Sequence, residues 1–246
     1  MKDALRRFRR RALVELVGTA ARPLQRARPD DPYHAVFADF IERCNELTDY
    51  RVLELGARNS AVDPRLRGYA EYVGFDIHPG PNVDVVGDAH SLSQSVDGPF
   101  DAVYAISTFE HLAMPWKVVL EINAVLADGG LLFVATHQSW PPHELPWDFW
   151  RYSTAAFQVL LNSSTGFEIV RAEEGLPAMI VPMVRDHGTH GVHRSPASLG
   201  VSVLARKVAP PRSDLRWDLT APDVIGGAYP KAEAAANGGP EAAGRS

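Results

Sequence analysis

Along the chain, short apolar runs alternate with segments whose apolar residues recur every three or four positions. The runs are Arg51–Leu55, Tyr72–Phe75, Val83–Val86, Ala102–Ile106, Leu131–Ala135, Phe167–Ala172 and Val201–Arg206. Each has the length of a strand, and the fifth is wholly apolar, as suits a strand covered on both faces. Between them, Tyr33–Leu47 carries Phe37, Phe40, Ile41 and Cys44 at helical spacing, and further helical patterns cover about Trp116–Leu126 and Thr154–Leu161. Asp128-Gly-Gly130 reads as the glycine C-cap of the second helix. Ser153 or Thr154 reads as the N-cap of the third. Strands and helices in alternation predict an α/β fold, a doubly wound, mostly parallel sheet of seven strands.

The two ends depart from this rhythm. Residues 1–18 form an amphipathic pattern, with Met1, Leu5, Phe8, Ala12 and Leu16 on one stripe and arginines on the other faces. Arg22–Pro32 is a polar linker containing prolines, and from Pro210 the pattern dissolves into Pro, Gly, Ala and charge. Residues 231–246 read as a disordered tail. The predicted organisation is a basic helix and linker over 1–32, one domain over 33–209 and a largely disordered tail over 210–246.

Charge sharpens the division. Residues 1–28 hold nine Lys or Arg against Asp3 and Glu15, a balance of +7. The net charge of −5 therefore leaves −12 for the rest. An acidic body argues against a nucleic-acid partner, which needs a basic face. The basic segment is read as a helix lying on an anionic membrane surface, a solvated helix packing its stripe on the domain, or a frayed tail. No stretch approaches the roughly 18 apolar residues of a membrane span, and no apolar segment with a small-residue cleavage site follows the basic start. The single cysteine, Cys44, excludes an internal disulfide and a cysteine zinc site, and predicts a cytoplasmic protein. Its place in an apolar helical pattern marks a buried structural thiol.

Candidate chemistry gathers where the predicted strands end. The first strand runs into Gly56 and the loop Ala57-Arg-Asn-Ser60, and the second ends on Asp76, 22 residues after Glu54. A glycine turn followed at that interval by an acid is the arrangement that holds a nucleoside, with the carboxylate on the ribose hydroxyls. Asp88 follows the third strand, and Ser107-Thr-Phe-Glu-His111 ends the fourth. Polar groups therefore collect at one sheet edge, where ligands of open α/β sheets bind.

These segments, Val52-Leu-Glu-Leu-Gly56, Val73-Gly-Phe-Asp76, Gly87-Asp88-Ala89, Phe100-Asp-Ala-Val103, Glu110-His-Leu112 and Leu126-Ala-Asp-Gly-Gly-Leu-Leu132, resemble those of class I S-adenosylmethionine-dependent methyltransferases. The resemblance covers about residues 35–207. It is nearest to small methyltransferases carrying a segment like Trp140-Pro-Pro-His-Glu-Leu-Pro-Trp-Asp-Phe-Trp-Arg151. It implies a Rossmann-like fold and S-adenosylmethionine as cofactor. It further implies Glu54 and Gly56 at the methionine end, Asp76 with Ile77 at the ribose, Asp88 with Ala89 at the adenine amine, and Ser107 bordering the cofactor. One departure stands out: Arg58 and Ser60 occupy the positions of the usual second and third loop glycines.

The segment from His137 to Tyr152 follows the fifth strand and should lie over the same edge. Trp140, Trp147, Arg151 and Tyr152 are its candidate substrate contacts, through aromatic stacking and bidentate anion binding; the alternative is a structural lid, with tryptophans packed on the sheet and an Asp148–Arg151 ion pair. His111, His137 and His143 are candidate bases for a hydroxyl acceptor. The expected reaction is O-methylation of a sugar or other small-molecule hydroxyl in glycan or natural-product synthesis, the pathway resting on family analogy alone. The alternatives are a cofactor-binding but inactive partner protein and a nicotinamide-dependent dehydrogenase. The latter would want a fuller Gly-x-Gly-x-x-Gly loop and a catalytic Tyr-Lys or His-Arg pair. His187, His190 and His193 match no common metal spacing, and no metal site is expected.

Overall fold

The computed structural model describes residues 2–25, 30–184 and 186–215. The chain divides into two compact units, Met1–Asp31 and Pro32–Ser246. The first contains, among its described residues, the helix α1 (Lys2–Ala21) followed by a single 3-10 turn, Arg22–Leu24. The helix runs three residues past the expected 18, and the Thr19 hydroxyl donates to the Glu15 carbonyl in that last turn. Pro23, which has no N–H to give, stands in the following turn. No helix among the described residues is long and apolar enough to cross a membrane.

The second unit contains α2 (Pro32–Asn45), β1 (Tyr50–Leu55), β2 (Tyr69–Asp76), β3 (Val85–Val86), β4 (Phe100–Ile106), α3 (Pro115–Val125), β5 (Leu126–His137), α4 (Thr154–Leu160), β6 (Phe167–Ala178) and β7 (Ala197–Lys207). The seven strands form one sheet in the order β3-β2-β1-β4-β5-β7-β6. Strands β1 to β5 are parallel, and β7 runs antiparallel between β5 and β6. The order reverses direction between β1 and β4, so a crevice opens beyond the carboxyl ends of those two strands.

Period-2 alternation divides the apolar side chains between two faces. Leu53 and Leu55, Val103 and Ala105, and Leu132 and Val134 face one core with α3 and α4. Val52, Tyr104 and Phe133 face the other, beneath Val36, Phe40, Ile41 and Cys44 of α2. Both faces of the central strands are thus covered, which is why their sequence reads as nearly unbroken apolar runs. Burial pushes the Cys44 thiol up to about 12, so it stays a neutral apolar filler.

Several sequence expectations change. β2, β6 and β7 are longer than their apolar cores, while β3 shrinks to two residues. Asp128-Gly-Gly130 does not cap α3. The helix ends at Val125, and the glycines lie within β5, where the register jumps from Phe100↔Leu126 to Ala102↔Leu131. Gly129 absorbs the bend at φ 79°. The carbonyls at the end of α3 are instead met from across the sheet. Lys207 Nζ donates to Asn123 O at 2.9 Å and to Leu126 O at 2.7 Å. The expected tail over 231–246 lies outside the described residues.

Candidate active site

At the crevice, β1 leaves the sheet through Gly56 in the left-handed region, φ 87°. A Cβ there would sit 2.1 Å from Thr108 Oγ1, and that hydroxyl in turn contacts the Leu55 and Ile106 carbonyls, both at 3.1 Å. The tips of β1 and β4 are therefore locked through a position that only glycine fills. Gly56→Ala should cost about 2–3 kcal/mol, from the left-handed backbone and overpacking together. Thr108→Ala in the same chain should recover part of that loss. Chemical denaturation of the single and double variants measures both effects.

The rest of the glycine-depleted loop forms one 3-10 turn, Ala57–Asn59, with Ala57 wholly buried. Arg58 is accommodated because its neighbour is Gly80. A Cβ on Gly80 would lie 2.7 Å from the Arg58 carbonyl and 2.8 Å from its Cγ. The glycine missing from the loop is thus supplied from after β2.

Asp76 ends β2. Its Oδ1 accepts from the His78 N–H at 2.9 Å and its Oδ2 from the Arg58 N–H at 3.3 Å. One backbone bond per oxygen aims the carboxylate and leaves a lone pair on each. Asp88 follows β3 and caps a short 3-10 segment, Ala89–Gln94. Its Oδ1 accepts from His90 N–H at 2.9 Å and from His90 Nδ1 at 2.6 Å. The other His90 nitrogen, Nε2, accepts from the Met114 N–H at 3.1 Å, so the proton of this ring sits on Nδ1. Burial pushes the Asp88 carboxyl up, but the hydrogen bonds from His90 and the nearby Lys117 charge outweigh it and hold it below the ordinary range. Asp88 therefore stands ionised with Oδ2 uncommitted among the described residues.

These groups line one cavity of about 460 Å³. Glu54, Gly56, Asp76, Ile77, Asp88, Ala89 and Ser107 all border it, together with Arg58, Glu144, Trp147 and His111. Glu54 is buried, and its Oε2 accepts from Tyr104 Oη at 2.6 Å and from Tyr72 Oη. Burial first, and then the Glu54 carboxylate, push both phenols above their ordinary range, so both remain donors. Neither tyrosine was singled out from the sequence. The signal lies in the register, where Tyr104 pairs directly across from Glu54. Two side chains on the cavity wall, Ser107 and Glu144, hold φ near 50° without being glycine, the kind of local strain that collects at functional sites.

The segment after β5 is stitched down onto the 3-10 turn Phe109–His111. Phe149 and Trp150 N–H donate to the Glu110 carbonyl, and Trp150 Nε1 donates to Leu112 O at 2.8 Å. Two of its candidate substrate contacts have partners within the chain, as the structural-lid reading has it. Arg151 commits its guanidinium internally: two bonds to Asp148 at 2.6 and 2.7 Å, and others to the Trp140, Pro141 and Trp150 carbonyls. That uses all five of its N–H donors. The Asp148 carboxyl is held at about 2, chiefly by Arg151. Tyr152 is buried, donating to Phe109 O at 3.0 Å and stacked on Phe157. Trp147 borders the cavity, whereas Trp140 is half-exposed and stacks on His137 at 4.8 Å.

Of the three histidines, only His111 lines the cavity. Its Nδ1 lies 2.5 Å from the Trp147 carbonyl. His143 packs edge-on against both His111 and His137, with centroids 4.9 and 5.1 Å apart. Beneath them lies Glu110, wholly buried and unremarked in the sequence except as the residue before His111. Burial pushes its carboxyl up, but the neighbouring His137 and the Thr136 hydroxyl hold it below the ordinary range. His187, His190 and His193 sit apart in two short 3-10 turns and belong to no converging set of three metal-ligating groups among the described residues.

A family model described as "Methyltransferase domain" matches residues 5–174. Among solved structures, the YcgJ protein from Bacillus subtilis superposes with TM-score 0.52 at 15% identity, over 71% of this chain and 98% of that one. A protein from Bacillus halodurans, described provisionally as a methyltransferase, gives 0.52 at 14%, over 71% and 99%. One from Galdieria sulphuraria, described provisionally as a sarcosine dimethylglycine methyltransferase, gives 0.51 at 13%, over 71% and 84%. At such identity these likenesses speak for the fold. No curated protein matches the chain.

Proposed function

Because the chain belongs to the methyltransferase domain family, we propose that it moves the methyl group of S-adenosylmethionine onto a hydroxyl of a sugar or another small molecule. One juxtaposition carries this reading: the cavity lined by the Asp76 and Asp88 carboxylates is also lined by His111. The donor supplies a methyl group on a sulfonium sulfur, already activated for attack. The chain must bind it, orient the acceptor, exclude water and take one proton.

The residues fit the donor. Asp76 keeps a lone pair on each oxygen for the two ribose hydroxyls. Asp88 keeps Oδ2 for the adenine amine, between the apolar Ile77 and Ala89. Glu54 holds an anionic group at the end of β1 for the ammonium of the methionine part. A cavity of about 460 Å³ is within the range that encloses a ligand of this size.

The acceptor end is built by His111 and Trp147. A carbonyl oxygen only accepts, so the 2.5 Å contact to Trp147 O fixes the neutral His111 proton on Nδ1. Nε2 then carries the lone pair that takes the hydroxyl proton as the oxygen attacks. The Trp147 ring offers an apolar face of the sort that packs on a sugar and excludes water. The preference for sugars over other alcohols rests on this ring and on analogy.

The test is product chemistry. Full-length protein, methyl-labelled S-adenosylmethionine and a fractionated pool of small glycans should yield label in alkali-stable methyl ethers. Label found instead on amines, carboxylates or carbon would overturn the hydroxyl assignment.

A further inference from the structure

Behind the cavity wall formed by His111, three elements bring together groups that the methyl-transfer reading leaves without a role. Glu110 comes from the turn after β4, His137 from the last residue of β5, and His143 from the segment beyond it. One ligand atom from each lies within 4.8 Å of the other two. We propose that Glu110, His137 and His143 form a binding site for a divalent first-row transition cation such as Zn²⁺.

Glu110 carries the argument. Its side chain is 0% exposed, and its Oε2 accepts from the Thr136 hydroxyl at 2.6 Å. Oε1 is buried and receives no hydrogen bond. Yet His137 Nε2 is 3.0 Å away and His143 Nε2 4.0 Å away. A buried carboxylate oxygen needs positive charge or donors around it. Two imidazole nitrogens converging on one buried carboxylate oxygen are placed as ligands are placed around a shared ion. Ligand atoms about 2.1 Å from a tetrahedral cation stand roughly 3.4 Å from one another, and 3.0 and 4.0 Å bracket that spacing.

The surroundings fit the same reading. His143 Nδ1 faces Asp148 Oδ2 at 3.4 Å, the carboxylate behind a ligating imidazole that fixes its ring. Asp148 is itself held by Arg151. Thr136 orients Glu110 in the same way. Two imidazoles and one carboxylate suit zinc and its first-row neighbours and are a poor set for calcium or magnesium, which take oxygen ligands. Three protein ligands leave a fourth position for water or a hydroxyl oxygen. The site stands on this geometry and does not depend on which acceptor is methylated.

The full-length protein, stripped with chelator and dialysed, should be titrated with Co²⁺ without S-adenosylmethionine. The expected result is a visible d–d spectrum saturating at one equivalent and displaced by Zn²⁺. His137→Ala and His143→Ala, each exposed enough to fold, should weaken binding more than about tenfold. They should also abolish the rise in melting temperature that Zn²⁺ gives the parent. His187→Ala, in the other histidine-rich loop, should bind as the parent does. Absence of a Co²⁺ spectrum in the folded parent, binding unchanged in both His137→Ala and His143→Ala, or binding lost in His187→Ala would each overturn the site.

Discussion

Replacing His111 by Gln should lower kcat by about 10²–10³-fold, the usual contribution of a positioned base, while leaving the affinity for S-adenosylmethionine within about twofold. The reason is positional. His111 borders the cavity at the end of β4, and its ring is held by one bond, from Nδ1 to the Trp147 carbonyl. Glutamine can donate to that carbonyl as well, so the wall keeps its shape while the basic nitrogen is lost. Single-turnover rates with saturating donor, set beside calorimetric donor affinity, separate the two quantities. An unchanged rate would move the base elsewhere. A parallel fall in rate and donor affinity would make His111 a wall residue only.

Asp76→Ala should do the reverse. Two hydrogen bonds from ribose hydroxyls to a carboxylate are together worth about 3 kcal/mol, roughly a 100-fold loss in donor affinity. The carboxylate also accepts from the His78 and Arg58 N–H groups, so the variant should melt slightly earlier. Asp76→Asn keeps one accepting oxygen and should fall between the parent and the alanine variant. Calorimetry with S-adenosylhomocysteine measures all three. Equal affinity in parent and alanine variant would remove Asp76 from the ribose.

The sheet was legible because its central strands are buried on both faces. Leu53, Val103 and Leu132 face one core and Val52, Tyr104 and Phe133 the other, so the apolar runs are nearly unbroken. The cavity was legible for a related reason. In a parallel sheet the residue after each strand falls on one edge, which gathers Gly56, Asp76, Asp88 and Ser107 around a single space. What escaped the sequence depends on contacts distant along the chain. Lys207 caps α3 from about 80 residues away, while a nearby glycine pair mimics a cap in the sequence. Gly80 makes room for Arg58, so the first loop looked more damaged than it is. Tyr152 has the right chemistry for a substrate, but the Phe109 carbonyl, 43 residues away, claims it first. Glu110, His137 and His143 lie on three elements, and no fixed spacing announces such a set.

The identity of the cavity's occupant decides the function. Titration of the full-length protein with S-adenosylhomocysteine and, in parallel, with a nicotinamide dinucleotide tests it most directly. The prediction is one S-adenosylhomocysteine bound per chain, weakened about 100-fold by Asp76→Ala, with no saturable binding of the dinucleotide. Saturable binding of the dinucleotide alone, or S-adenosylhomocysteine binding indifferent to Asp76, would contradict it.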